Sequence, residues 1–169
     1  MANPFIRLLK HRLYDERDAL RALGPDGIAR IEAHVAASER QHTGEIRVCV
    51  ESGLPWSYLW RGADARERAI AMFGKLRVWD TEANNGVLIY VLLAEHRIEI
   101  VADRGLARHV DEAQWSAIMA SMREAFRAGR FAEGIDQAVA AVDALLTQHF
   151  PLGDGDANPN ELPNRPFVR

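Results

Sequence analysis

The chain has 169 residues, of which 48% are hydrophobic and 27% are charged, and its net charge is −3. These totals predict one globular domain with a buried core and argue against a dedicated binder of duplex DNA. The single cysteine, Cys49, excludes an intrachain disulfide and a cysteine-based zinc site. We expect a cytoplasmic location, because we find neither a signal-peptide pattern nor an apolar run of the roughly 18 residues that span a membrane.

The first half of the chain alternates between predicted helices and a strand. Residues 5–14 are basic and amphipathic, so this helix can pack on the domain or rest peripherally on an anionic membrane. Apolar periodicity predicts further helices over residues 27–40 and 63–76, and alternation predicts a strand over Glu45–Glu51. The aromatic segment 52–64 is predicted as a loop that covers the sheet edge or binds a partner or a membrane interface.

The second half begins with a polar turn and a run without charge. Val87–Leu93 is predicted as a strand that is covered on both faces, and the following alternating segment, 97–102, pairs with it as an antiparallel hairpin. Asp111 and Gln114 then form a capping-box pattern at the start of a helix. Gly129 separates that helix from a last one, which ends at Pro151.

The order of elements is helix, strand, helix, strand, strand, helix, helix. A small sheet with apolar residues on both faces needs helices on both sides, so we predict an α/β fold: a three-layer α/β/α sandwich with a small mixed sheet. We divide the chain into a basic amphipathic N-terminal segment (1–23), the main domain (24–151) and an irregular, Pro-rich tail (152–169).

Several motifs occur in an ordered series. They are "HTGEIRVCVES", "ARERAIAMFGKLRVWDTEANNGVLIYVLLAEHRIEIVADRGL" and "WSAIMASMREAFRAGRFAEGIDQAVAAVDALLTQHFP". This series resembles the TPM domain family, in particular its short bacterial members without a membrane anchor, over about residues 27–151. The resemblance implies an α/β/α sandwich, binding of divalent cations such as calcium at one edge of the sheet, and a LemA-like membrane protein as partner. It also implies links to membrane-protein quality control, as in photosystem II repair, and acid phosphatase activity in some members.

The acidic turn before the buried strand supplies two candidate metal ligands, and the end of the second strand, where ligand sites of α/β folds often form, supplies a third. Hard cations such as Ca²⁺ and Mg²⁺ prefer carboxylate and carbonyl oxygens, and we name Asp80, Glu82 and Asp103 as the metal residues. The alternative is a solvated turn in which Asn84-Asn85-Gly86 adopts left-handed conformations. Many family members have a Gly-aromatic-Gly-Leu-Glu pattern where this chain has Asp103-Arg104-Gly105-Leu106-Ala107. Any chemistry that depends on the family's glutamate therefore does not carry over.

Two functions follow as the main hypotheses, and a purely structural partner-binding domain without ions is a third. The first is an accessory module that binds a divalent cation at the loop edge and a protein partner. The second is a metal-assisted acid phosphatase acting on phosphomonoesters, with Asp80, Asp103 and Arg104 as a cluster. The histidines form no zinc-binding array, although His42 or His109 can serve as a general acid or base. The catalytic residues stay unassigned.

Overall fold

The computed structural model describes residues 4–153, 155 and 157–169. The predicted N-terminal segment and tail include residues 1–3, 154 and 156, which lie outside the described residues. The helices are α1 (Pro4–Leu13), α2 (Glu16–Leu23), α3 (Gly27–Ser38), α4 (Trp56–Trp60), α5 (Ala65–Lys75), α6 (Arg104–Ala107), α7 (Glu112–Arg127) and α8 (Phe131–His149). The strands are β1 (Glu45–Glu51), β2 (Gly86–Leu92), β3 (Arg97–Ala102) and β4 (Phe167–Val168).

The sheet is mixed and has the strand order β3-β2-β1-β4. β1 and β2 are parallel and start together, since Glu45 pairs with Gly86. β3 runs antiparallel to β2, as the hairpin prediction requires, and Val87 faces Ala102. β4 is parallel to β1 and extends the sheet. The starts of β1 and β2 therefore share one edge of the sheet with the end of β3.

Helices cover both faces of this sheet. On one face, apolar residues of β1, β2 and β3 pack against α2, α3, α7 and α8. On the other face, Cys49, Leu88 and Tyr90 pack against α5. Every residue of β1 and β2 is buried as a result. The structure confirms the three-layer α/β/α sandwich and the predicted order of its main elements. None of the described helices has the length and apolar character needed to cross a membrane.

The aromatic segment contains a short helix where the sequence predicted a loop. Residues Trp56–Trp60 form α4, and the rings of Trp56 and Trp60 stack 6.2 Å apart. Pro55 precedes the helix with a φ of −57°, a conformation that suits the start of a helix. Gly62 follows the helix with a φ of +70°. Pro55 and Gly62 therefore lie directly before and after one short helical segment.

Strand β1 carries charged residues on the face that packs against α5. Glu45, Arg47 and Glu51 alternate with the apolar residues of the other face, and all three are buried. A charge that leaves water must find hydrogen-bond partners or an opposite charge. Arg47 donates to the carbonyl oxygens of Pro163 and Arg165. The tail therefore follows a course along β1, which the sequence pattern did not predict.

Glu51 is paired with a buried arginine. Arg68 of α5 donates from Nε and Nη2 to the two carboxylate oxygens of Glu51, at 2.7 and 2.5 Å. The hydroxyl group of Tyr90 donates to the same carboxylate at 2.8 Å. The hydrogen bond to Glu51 raises the pKa of Arg68 above its ordinary value. This network ties α5 to the two central strands.

Arg68→Ala should lower the free energy of unfolding by about 3–5 kcal/mol, because it leaves the Glu51 carboxylate buried without its cation. Tyr90→Phe removes one hydrogen bond to a charged group and should cost about 1.5–3 kcal/mol. Arg123→Ala, at an exposed position on α7, is the matched control and should change stability by less than about 0.5 kcal/mol. Urea unfolding followed by circular dichroism measures all three. An Arg68→Ala variant as stable as the control would contradict this role.

Candidate functional site at the loop edge of the sheet

Two loops meet at the edge where β1 and β2 begin and β3 ends. The N–H group of Asp103 donates to the Gly86 carbonyl at 2.9 Å, and the N–H group of Gly105 donates to the Asn84 carbonyl at 2.8 Å. The loop before β2 and the loop after β3 are therefore joined by backbone hydrogen bonds. We refer to residues 80–86 and 103–105 as the loop edge.

Glycines permit this close approach. A Cβ atom on Gly105 would lie 2.3 Å from the Asn84 carbonyl oxygen, and one on Gly86 would lie 2.0 Å from the Val78 carbonyl oxygen. Asn84 has a φ of +51°, so it supplies the predicted left-handed conformation. Gly86 is required for a different reason, since backbone atoms occupy the space that a side chain would need.

The three predicted metal ligands have different surroundings. Asp80 is exposed, and its carboxylate accepts a hydrogen bond from Arg77 at 2.5 Å. Glu82 is also exposed. Asp103 caps α6 by accepting the N–H of Arg104 with Oδ1 at 2.7 Å. Its other oxygen, Oδ2, is buried and has no hydrogen-bond partner among the described residues.

The carboxylates at the loop edge do not by themselves form a metal-binding cluster. In the part of the chain that the structure describes, no group of three or more His, Cys, Asp or Glu side chains is arranged to hold a metal ion. A cation at this edge would need amide or carbonyl oxygens as additional ligands. Calcium accepts such ligands readily in its flexible coordination sphere.

Asn85 presents an oxygen of this kind. Its side chain is fully buried, its N–H group donates to Thr81 Oγ1, and its Nδ2 donates to Thr43 Oγ1, both at 3.1 Å. Its Oδ1 atom has no partner within the described ranges. We interpreted Asn85 only as a turn residue, because its position before Gly86 explains a turn equally well. The burial of its side chain could not be read from the sequence.

A cationic group lies at the same edge. Arg104 donates from Nε and Nη2 to Asn84 Oδ1, at 3.0 and 2.8 Å. Its side chain thus bridges the two loops while the residue remains exposed. A guanidinium held in this way can attract an anion such as phosphate.

The C-terminal tail extends the site. Glu45 accepts the N–H groups of Glu161 and Leu162 at 3.1 Å, and Glu161 in turn accepts the N–H of Glu82 at 3.1 Å. Burial raises the pKa of Glu45 above its ordinary value. The side-chain amide of Asn158 donates to three backbone carbonyls around the start of β1. The tail is thereby fastened next to the acidic loop.

Glu39 lies beneath the tail and lines a cavity of about 510 Å³ together with Asn158, Asn160 and Asn164. It is 4% exposed, and its Oε1 accepts the N–H of Ile46 at 3.1 Å. Oε2 is buried without a partner among residues 4–153, 155 and 157–169. Burial raises the pKa of Glu39 to about 8. Neither Glu39 nor Glu45 was predicted as a site residue.

Among the described residues, no hydrogen bond or ion pair joins either candidate histidine to Asp103. His42 is fully buried, and its Nε2 lies 2.9 Å from Ser38 Oγ. Burial lowers its pKa, which disfavours the charged form. His109 stacks on His149 with ring centroids 5.0 Å apart. Cys49 is buried, and burial raises the pKa of its thiol.

Glu39→Gln should change how stability depends on pH. The folded chain keeps a proton on Glu39 up to about pH 8, whereas the ordinary pKa of a glutamate carboxyl is 4.5. The stability that Glu39 contributes is therefore complete below pH 4.5 and is lost as the pH rises toward 8. Between acidic and alkaline conditions, the free energy of unfolding of Glu39→Gln should therefore rise by about 1–4 kcal/mol relative to that of wild type.

Urea unfolding of wild type and Glu39→Gln at several pH values measures this difference. Glu124→Gln, at an exposed position on α7, controls for the loss of one surface carboxylate. Parallel stability profiles for wild type and Glu39→Gln would contradict the assignment of a protonated, buried carboxyl.

Comparison with known proteins identifies the fold. The NMR structure of the BA42 protein from Bizionia argentinensis has a TM-score of 0.73 and 26% identity, and the match covers 85% of this chain and 93% of that one. The NMR structure of the N-terminal domain of a P. gingivalis protein has a TM-score of 0.60 at 19% identity, covering 84% and 99%, and shows the fold alone. No curated protein matches significantly. The sequence model of the TPM domain matches residues 17–145, and the chain therefore belongs to the TPM domain family.

Proposed function

We propose that this chain is an accessory module that binds a divalent cation at the loop edge. The observation that supports the proposal is the pair of buried oxygens, Asn85 Oδ1 and Asp103 Oδ2, which lack hydrogen-bond partners among the described residues. A buried acceptor without a partner is costly, and a hard cation satisfies several such acceptors at once. Both residues belong to segments that are joined by backbone hydrogen bonds.

Asp80 and Glu82 complete the proposed site as its acidic wall. Both side chains are exposed, so they can turn toward an ion without unfolding the loop. Asp80 would give up its contact with Arg77, which is exposed and therefore worth little. The mixture of carboxylate and amide oxygens favours Ca²⁺ over Mg²⁺, because Mg²⁺ requires a more regular octahedral arrangement.

We expect Ca²⁺ to bind to the purified chain and Asp103→Asn to weaken that binding at least about tenfold. The substitution keeps the shape of the side chain and its acceptor for the Arg104 N–H, but it removes the charge that the cation needs. Isothermal titration calorimetry with Ca²⁺, Mg²⁺ or Mn²⁺ measures the affinity, and thermal unfolding with and without the ion measures the linked stabilisation.

Asp26→Asn is the matched control for this experiment. Asp26 is exposed at the start of α3, and its side chain makes no capping hydrogen bond there. The Asp26→Asn variant should bind the ion as wild type does.

The absence of both heat and a shift in melting temperature at millimolar ion would refute the proposal, and so would equal affinities for Asp103→Asn and wild type.

The proposal includes a protein partner, for which family membership is the support. A LemA-like membrane protein is the class of partner that the resemblance implies, in a role in membrane-protein quality control. Binding can be measured with a purified LemA-like protein in detergent, with and without Ca²⁺. We expect affinity to rise when the ion orders the loop edge, since an ordered surface loses less conformational entropy on binding.

An acid phosphatase is the alternative function, and the position of Arg104 favours it. This guanidinium lies at the loop edge beside the proposed cation, where it can bind a phosphoryl group that the metal polarises. Under this alternative, the chain hydrolyses a phosphomonoester in the presence of the ion. Arg104→Ala should then raise KM at least about tenfold by removing a charged phosphate contact. Failure of the wild-type chain to hydrolyse phosphomonoesters, or activity that survives Asp103→Ala, would exclude this alternative.

A further inference from the structure

An apolar surface lies at the opposite end of the sheet from the loop edge. We call it the α1–α4 patch, and it consists of Phe5, Ile6, Leu9 and Leu13 of α1 with Trp56 and Trp60 of α4. These side chains are between 56% and 80% exposed. Phe5 and Leu8 line a shallow hollow of about 230 Å³ together with Trp56, Leu59 and Trp60, so the two helices form one continuous surface. An exposed, contiguous apolar surface of this kind marks an interaction site.

The orientation of α1 is set by polar anchors on its other side. His11 is buried, and its Nδ1 accepts the N–H of Leu54 at 3.0 Å while Nε2 lies 2.9 Å from a Glu95 oxygen. Arg7 donates to Glu95 at 2.7 Å and to the Ala63 carbonyl at 2.6 Å. The hydrogen bond from His11 lowers the pKa of Glu95 to about 2. These contacts keep the polar side of α1 on the domain and its apolar side outward.

Exposed cations lie beside the patch on α1. The sequence of α1, PFIRLLKHRL, contains no acidic residue, and its last turn is basic. Lys10 and Arg12 are exposed, and Glu95, which lies against the polar side of α1, is paired with Arg7 and His11. The acids Asp15 and Glu16 follow at the start of α2. The whole chain has a net charge of −3, so this basic character is local.

We propose that the α1–α4 patch docks on the surface of an anionic lipid membrane. Apolar side chains flanked by exposed cations form the pattern of helices that lie in the plane of a membrane interface. Trp56 and Trp60 suit the half-wet region at the lipid headgroups. Lys10 and Arg12 attract acidic headgroups, at about 1 kcal/mol for each basic residue near the surface. Docking through this patch directs the loop edge away from the membrane, because the two lie at opposite ends of β1.

The experiment is co-sedimentation of the full chain with vesicles. We expect binding to vesicles of phosphatidylcholine mixed with phosphatidylglycerol, and weak binding to vesicles of phosphatidylcholine alone. Raising the salt concentration should reduce binding, because surface charges are screened. Leu9→Asp and Trp60→Ser should each weaken binding at least about fivefold, since they remove apolar area from the interface. The double variant Lys10→Glu, Arg12→Glu should weaken it at least about tenfold.

Trp79→Ser is the matched control. Trp79 is 52% exposed and follows α5 near the loop edge, so its loss removes an exposed indole from the other end of the molecule. It should bind vesicles as wild type does. Circular dichroism and melting temperature confirm that each variant is folded.

Three outcomes would overturn the proposal. The first is wild-type chain that remains in solution with anionic vesicles. The second is Leu9→Asp and Trp60→Ser variants that bind as tightly as Trp79→Ser. The third is a dimer in light scattering that Leu9→Asp dissociates, together with no binding to vesicles, which would make a second copy of the chain the occupant of the patch. Failure of Ca²⁺ binding leaves the vesicle assay unaffected, because the two surfaces share no residue.

Discussion

The burial of β1 is the constraint on which the rest of the structure depends. This strand is covered on both faces, yet one face carries Glu45, Arg47 and Glu51. Each of these charges must find partners inside the protein. Glu51 takes Arg68 from α5 and Tyr90 from β2, which holds one helical layer on the sheet. A strand with alternating apolar and charged residues would ordinarily face water on its charged side. Here the protein covers that side instead.

The other two charges determine where the C-terminal tail lies. Arg47 donates to two carbonyl oxygens of the tail, and Glu45 accepts two of its N–H groups. These are complementary demands, because a cation needs carbonyl oxygens and a carboxylate needs N–H donors. An irregular segment has backbone groups of both kinds free to satisfy them. The tail then ends as β4, and Phe167 pairs with Cys49 of β1.

The sequence predicted those parts of the fold that depend on local pattern. Neighbouring residues alone encode three of these features: the apolar run of β2, the hairpin to β3 and the capping box of Asp111. The course of the tail could not be predicted in this way, because it depends on partners more than 100 residues away, such as Arg47 for Pro163.

The residues of the candidate site divide into the same two groups. Asp103 was identified as a carboxylate after a strand, whereas Asn85 and Glu39 gain their interest only from burial, which depends on the packed structure.

The distribution of unsatisfied atoms distinguishes the two ends of the sheet. Among the described residues, the buried side-chain atoms without partners belong to Glu39, His42, Asn85, Asp103 and Asn164. All five residues lie at the end of the sheet where β1 and β2 begin and β3 ends, or in the tail segment beside it. At the other end, the buried groups of His11 and Glu51 are fully bonded.

Because the buried polar groups at that end are hydrogen-bonded, the unpaired groups at the loop edge and beneath the tail need a separate explanation. Buried groups in native proteins are nearly always hydrogen-bonded, and an exception calls for a cause such as strain, a catalytic role, a water molecule or an ion. The raised pKa of Glu39 is the response of one such group, which keeps a proton instead of a charge. Asp103 differs because it belongs to the loop edge, where the backbone of its loop is hydrogen-bonded to the loop that carries Asn85. The lack of hydrogen-bond partners thus corresponds to a protonated carboxyl beneath the tail and to the proposed cation at the loop edge.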